Sequence, residues 1–179
     1  MKNKKARLWM RTAILVVFVA AVVFTLYEAF HKDAGPAVGE KAPNFELQTL
    51  DGKSVKLSDF RGKGVLLNFW GSWCEPCKQE MPYLNAVYQQ HMKGVVILGV
   101  DIGEPKLTVS NFTSRNGIKF PILLDLDKTV TTAYNIGPIP TTYLIDKTGK
   151  IVKVIKTQMP DPGFIQKQLE LIQPDKYNK

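Results

Sequence analysis

The chemistry-bearing residues of this chain are easily found, because its two cysteines fall three positions apart in Trp73-Cys74-Glu75-Pro76-Cys77. A C-x-x-C pair just after a strand and opening a helix is placed for redox work. Unpaired N–H groups and the dipole at a helix N-terminus stabilise a thiolate. Cys74, first in the helix, can expose its sulfur and is the candidate attacking nucleophile. Cys77 lies one turn deeper, within disulfide reach, and would resolve the mixed disulfide; Cys74–Cys77 is thus the expected redox-active disulfide. Pro76 suits the first turn, where no helical N–H bond is lost.

Two other uses of the pair stand beside this one. Zinc or iron sites need two such pairs, or cysteines with well-spaced histidines. The histidines here are His31 and His91. His91 falls near the expected helix end, so a copper carrier using Cys74, Cys77 and His91 is the metal alternative; otherwise no metal or cofactor is expected. A purely structural disulfide explains neither the position at a helix start nor the short loop.

The elements that must hold the pair follow from hydrophobic periodicity. Val65–Trp70 (VLLNFW) and Val95–Val100 (VVILGV) are nearly continuous apolar runs of strand length, as in strands covered on both faces. The pattern predicts a helix from Cys74 to about Met92, closed by Gly94, and another over Pro105–Asn116 ending at Gly117. A short strand at Phe120–Leu124 and a short helix at Thr129–Tyr134 follow. Phe45–Leu47 and Val55–Leu57 flank Asp51-Gly52 as a hairpin. Thr142–Ile145 and Lys150–Ile155 form another around Lys147-Thr148-Gly149, and Pro162–Ile172 closes the chain as a helix. The prediction is an α/β fold: a mixed sheet with helices on both faces and an N-terminal β-hairpin.

Ahead of this domain Thr12–Tyr27 (TAILVVFVAAVVFTLY) carries no charge. The expected organisation is a basic N-terminus over 1–11, a transmembrane signal-anchor helix over 12–30, a linker over 31–40 and a domain over 41–179. Lys2, Lys4, Lys5, Arg7 and Arg11 precede the apolar run, so the positive-inside rule puts the N-terminus in the cytoplasm and the domain outside the cell membrane. A cleaved signal peptide is disfavoured because no small-x-small site follows the run directly. The formal net charge of +8 owes much to this leader: after Lys32 there are 18 basic and 15 acidic residues. No concentrated basic face survives there, so nucleic-acid binding is not expected. The composition, 45% hydrophobic and 22% charged, is that of a folded chain.

Phe69-Trp70-Gly71-Ser72-Trp73-Cys74-Glu75-Pro76-Cys77 resembles the active-site segment of the thioredoxin superfamily. Together with the anchor, the tether, Ala42-Pro43-Asn44-Phe45 and Ile139-Pro140-Thr141-Thr142, it is similar to the ResA family of the TlpA-like group, whose members are membrane-anchored extracytoplasmic thiol-disulfide oxidoreductases. The resemblance spans essentially the whole chain. It implies a thioredoxin-like fold with an inserted helix and strand between Pro105 and Leu124. It also implies a cis-proline loop at Ile139-Pro140-Thr141 facing the cysteines and offering backbone to an extended substrate. Trp73, Glu75 and Pro76 would line the same substrate surface. Asn68 stands where thioredoxins carry a buried Asp that assists proton transfer, and Asn cannot take a proton. Glu80, one turn after Cys77, matches an acidic residue of the ResA family and is the candidate substitute, against a solvated surface Glu. Glu104 resembles another acidic residue near that site.

The acidic residues bear on the direction of electron flow. Glu75 and Glu80 disfavour a thiolate, which favours the disulfide and makes the pair a reductant. For ResA-like proteins the resemblance implies apocytochrome c as the client, reduced so that haem can be attached, and a CcdA-type membrane protein as the electron donor. A monomer is the default. A general disulfide isomerase or oxidase shares the fold and motif. A peroxiredoxin would need a Thr three residues before its reactive Cys, where Gly71 stands.

Overall fold

The computed structural model describes residues 2–32 and 35–174. Asp33 and Ala34 of the expected linker, Met1 and the last five residues lie outside the described residues. The chain separates into a helical unit ahead of Pro36 and a folded domain after it.

In the first unit, α1 runs over Lys2–Lys32. It is longer than the 12–30 span expected, because the flanking charged residues continue the same hydrogen-bonded ladder. Within it Arg7–Leu26 is apolar enough, and at about 30 Å long enough, to cross a bilayer core.

In the domain, β1 (Glu46–Thr49) and β2 (Ser54–Lys56) form the first hairpin, closed at Gly52, whose φ of 82° suits glycine. There follow β3 (Gly64–Trp70), α2 (Glu75–Tyr88), β4 (Val95–Asp101), α3 (Lys106–Arg115), β5 (Ile122–Leu124) and α4 (Thr129–Ala133). The terminal hairpin β6 (Thr141–Ile145) and β7 (Ile151–Ile155) precedes α5 (Pro162–Glu170). The sheet order is β2-β1-β5-β4-β3-β6-β7. β3, β4 and β5 are parallel, and the remaining pairs are antiparallel.

Every residue of β3 is buried, as its apolar run requires of a central strand. Its side chains divide by the pleat. Leu66 and Trp70 join Met81 and Leu84 of α2, Val109 of α3 and Leu169 of α5 on one face. Val65, Leu67 and Phe69 join Leu57, Val130 and Tyr134 on the other. The Tyr134 ring lies 5.2 Å from that of Phe69, and its hydroxyl donates to Pro43 O at 2.8 Å, fixing the incoming chain.

Two stretches differ from expectation. α2 stops at Tyr88 instead of continuing to Met92. The amides of Gln90 and His91 reach back only three residues, to Val87 O and Tyr88 O, and His91 turns left-handed at φ 50°. Tightening of the last turn and that reversal end the helix before Gly94 is reached. The tether also docks earlier than its small, turn-rich composition suggests. Gly39 N donates to Ile151 O and Ala42 N to Gly149 O, so residues 39–42 cover part of the β7 edge.

Gly64 opens β3 where the chain after α5 passes close by. A Cβ there would lie 2.3 Å from the Ile172 carbonyl oxygen, a backbone atom that cannot swing aside. Gly64→Ala should therefore lower stability by about 1–3 kcal/mol through overpacking. Urea unfolding of the oxidised protein checks this, and an unchanged midpoint would show that the Ile172 segment yields freely.

Candidate active site

The carboxyl ends of β3 and β4 and the start of β6 meet at one edge of the sheet, and the cysteines sit there. Trp70 leaves β3 into Gly71-Ser72-Trp73, and Cys74 caps α2. Cys74 and Cys77 form a disulfide with their Cα atoms 5.2 Å apart. The Cys77 amide donates to Cys74 Sγ at 3.2 Å, the contact that would steady a thiolate on the N-terminal sulfur. Cys77 is fully buried, while Cys74 retains a small exposed edge. The cysteine nominated as nucleophile is thus the less buried of the two.

Facing it is the Ile139–Pro140 loop. The Ile139–Pro140 bond is cis, and Ile139 O lies 3.6 Å from Cys74 Sγ. Thr141 is buried, its hydroxyl donating to Pro138 O at 2.7 Å, so its side chain is turned inward. Trp73, at 64% exposure, stands beside the disulfide with Glu75 and Pro76 at the surface. Trp73 folds its indole over Gly71, where a Cβ would meet Nε1 at 2.9 Å. Glu75 does not act alone: Lys78 pairs with it at 3.1 Å, an exposed partner that offsets its charge.

Glu80 is a buried residue, not a surface carboxylate. Its Oε1 accepts from Asn68 Nδ2 at 2.7 Å and its Oε2 from the Met159 amide at 2.8 Å. Asn68 Nδ2 also donates to Thr142 Oγ1 at 2.9 Å, so one carboxyl ties together β3, β6, α2 and the segment after β7. Burial is the main influence and pushes the Glu80 carboxyl up to about 7, against the lowering effect of its two donors. A carboxyl poised there, one turn from the buried Cys77, can exchange a proton near neutral pH.

A second carboxyl system lies on the β4 side. Glu104 accepts from both the amide and the hydroxyl of Ser72, the latter at 2.6 Å. Asp101, fully buried at the end of β4, accepts from the Glu104 amide at 2.8 Å. Burial first, and then the Glu104 carboxyl, push Asp101 up to about 7. Sequence reasoning passed over Asp101 and Ser72. The available signal was a lone Asp closing the apolar run Val95–Val100, at the carboxyl edge of parallel strands where sites gather.

α2 spans about 21 Å between the disulfide at its start and His91 beyond its end. Cys74, Cys77 and His91 therefore cannot share one ion. Among the described residues no group of three potential ligands gathers.

Residues 38–154 match the AhpC/TSA family. The thiol-disulfide oxidoreductase ResA of Geobacillus kaustophilus is 50% identical over 174 residues, covering 96% of this chain and 99% of that protein. ResA of Bacillus subtilis is 47% identical over 175 residues, covering 96% and 97%. Among solved structures, a putative thiol:disulfide interchange protein DsbE from Chlorobium tepidum superposes with a TM-score of 0.71 at 30% identity, over 76% of this chain and 98% of that one.

Glu80 holds a proton between pH 4.5 and about 7 that the unfolded chain has already released. Its contribution to folding is full below pH 4.5 and is lost as the pH rises through about 7, amounting to about 3 kcal/mol. Asp101 acts in the same direction. Glu80→Gln should remove only the Glu80 share, so the fall in stability between pH 4.5 and 8.5 shrinks by up to about 3 kcal/mol. Urea unfolding of the oxidised parent and variant across that range tests this; equal pH slopes would count against the assignment.

Proposed function

Because the chain belongs to the ResA family of thiol-disulfide oxidoreductases, we propose that it works as a reductant outside the cell membrane, held there by α1. The observation that carries this reading is the Cys74–Cys77 disulfide at the start of α2, with Cys74 Sγ facing the Ile139 carbonyl and the Glu80 carboxyl buried near the deeper cysteine.

In the reduced protein the Cys74 thiolate attacks one sulfur of a client disulfide. The client's other sulfur leaves as a thiolate and takes up a proton. Cys77 then gives its proton to Glu80, attacks Cys74 Sγ and expels the second client thiolate. One client disulfide becomes two thiols, and the Cys74–Cys77 dithiol becomes a disulfide. Ile139, beside the cis Pro140, offers its backbone to the client chain, and Trp73, Glu75 and Pro76 border the approach.

The acidic surroundings support the reducing direction. Lys78 offsets Glu75, so the effect rests on Glu80 and Glu104, and on Asp101 only once it has lost its proton. Negative charge near a nascent thiolate raises its energy and favours the disulfide. An oxidising compartment makes a dedicated client and electron supply necessary. The client proposed is apocytochrome c, whose paired cysteines must be reduced before haem is attached. The donor proposed is a CcdA-type membrane protein carrying electrons from the cytoplasm. The domain acts as a monomer.

Cys77→Ser leaves the mixed disulfide at Cys74 unresolved. In cells it should trap an apocytochrome c, identified by mass spectrometry; capture of varied secreted proteins instead would indicate a general isomerase. The reduction potential should lie well below the about −120 mV of DsbA, and a value that oxidising would overturn the reductant reading. Protease added to wall-stripped cells should degrade residues 41–179, whereas their protection would invert the orientation.

A further inference from the structure

We propose that Asp101 is a positioning residue for the disulfide chemistry, latching the loop that carries Cys74 through a protonated Asp101–Glu104–Ser72 chain. Asp101 ends β4 in register with Trp70, the last residue of β3 before the Gly71-Ser72-Trp73-Cys74 turn. Its Oδ1 accepts from the Glu104 amide, while its Oδ2 is buried with no hydrogen-bond partner. An ionised carboxylate is costly to bury with one oxygen bare. A carboxylic acid instead carries a hydrogen there, and the neighbouring Glu104 carboxylate is its acceptor. Glu104 remains the charged member because Ser72 gives it two donors. Ile102 N, donating to Trp70 O at 3.2 Å, stitches the two turns together beneath the latch.

The charged neighbours of Asp101 leave it to Glu104. Asp125, on the adjoining β5 end, turns its carboxylate to the amides of Val130 and Thr131. Lys128 lays its stem against Gly103. Glu80, on α2, is engaged with Asn68 and Met159. When Asp101 loses its proton, two carboxylates face one another and the hold on Ser72 slackens. Ser72 is two residues from Cys74, so the sulfur's alignment with the Cys77 amide shifts with it. The burial that carries Asp101 to about 7 places this change in the neutral range.

This inference rests on Cys74 being the reactive thiol, and the test separates the two. The full chain in detergent, with Cys77→Ser and Glu80→Gln, leaves Cys74 as the sole thiol and removes the other carboxyl titrating near neutrality. The iodoacetamide alkylation rate is then followed from pH 5 to 10. The expected profile has a step of at least twofold near pH 7, apart from the thiol's own titration. Asp101→Asn should abolish the step, because Asn both donates to Glu104 and accepts from its amide without titrating. Glu104→Gln should move the step to lower pH, since a like charge is gone; a merely structural Asp101 would leave it in place. A parent without the lower step, or an Asp101→Asn profile that retains it, would overturn the latch. Where Asp101→Asn fails to fold, the Glu104→Gln shift decides: a step left at its original pH overturns the proposal. A chain that iodoacetamide does not label at any pH would sink the nucleophile assignment itself.

Discussion

Burial of one carboxyl group, Glu80, constrains the core around the disulfide. An isolated carboxylate cannot be buried cheaply, and this one is accommodated by two donors and a raised affinity for its proton. The donors come from distant parts of the chain, Asn68 on β3 and Met159 after β7. Asn68 is itself held by Thr142 on β6. Satisfying a single acid therefore fixes α2, and with it both cysteines, against the central strands.

That arrangement also explains why Asn rather than an acid sits at position 68. Two acids within hydrogen-bonding distance would compete for a proton, and one of them would have to remain neutral. An amide can serve Glu80 with a donor and keep its oxygen in reserve. Asn68 Oδ1 is buried without a partner. Turning the amide over would offer that oxygen to a protonated Glu80, so the pair can accommodate either state without moving the backbone. The buried carboxyl thus sits on the helix that carries Cys77, and Asn68 supports it from the strand below.

Much of this was legible in the sequence, and the exceptions have physical causes. The apolar runs of β3 and β4 announce buried strands, and the C-x-x-C opening a helix announces its own chemistry. The cis bond at Ile139–Pro140 was suggested by resemblance, since local sequence cannot distinguish it from an ordinary trans proline. The end of α2 was misplaced because periodicity continues through Met92, while the left-handed turn at His91 is a backbone reversal that hydrophobic spacing does not encode. Whether Glu80 was buried could not be read from spacing alone, since its partners lie 12 and 79 residues away. Lys78 was overlooked because the charge of a surface Glu is easily counted without its neighbour.

The two carboxyl systems place the disulfide between groups whose charge changes near neutrality. Glu80 acts from the α2 and β6 side, and the Asp101–Glu104 pair acts through Ser72 on the loop ahead of Cys74. Their effects on the two sulfurs differ in kind. In the proposed mechanism Glu80, one turn from the buried cysteine, bears on its proton, hence on the resolving step. In the proposed latch the β4 pair bears on how Cys74, the less buried cysteine, is presented, hence on the attacking step. A reductant must perform both steps in order, first accepting a client at Cys74 and then releasing it through Cys77. Separate acids for the two sulfurs allow each step to have its own proton demand. A single shared acid would couple them, so that whatever favoured attack would also alter release.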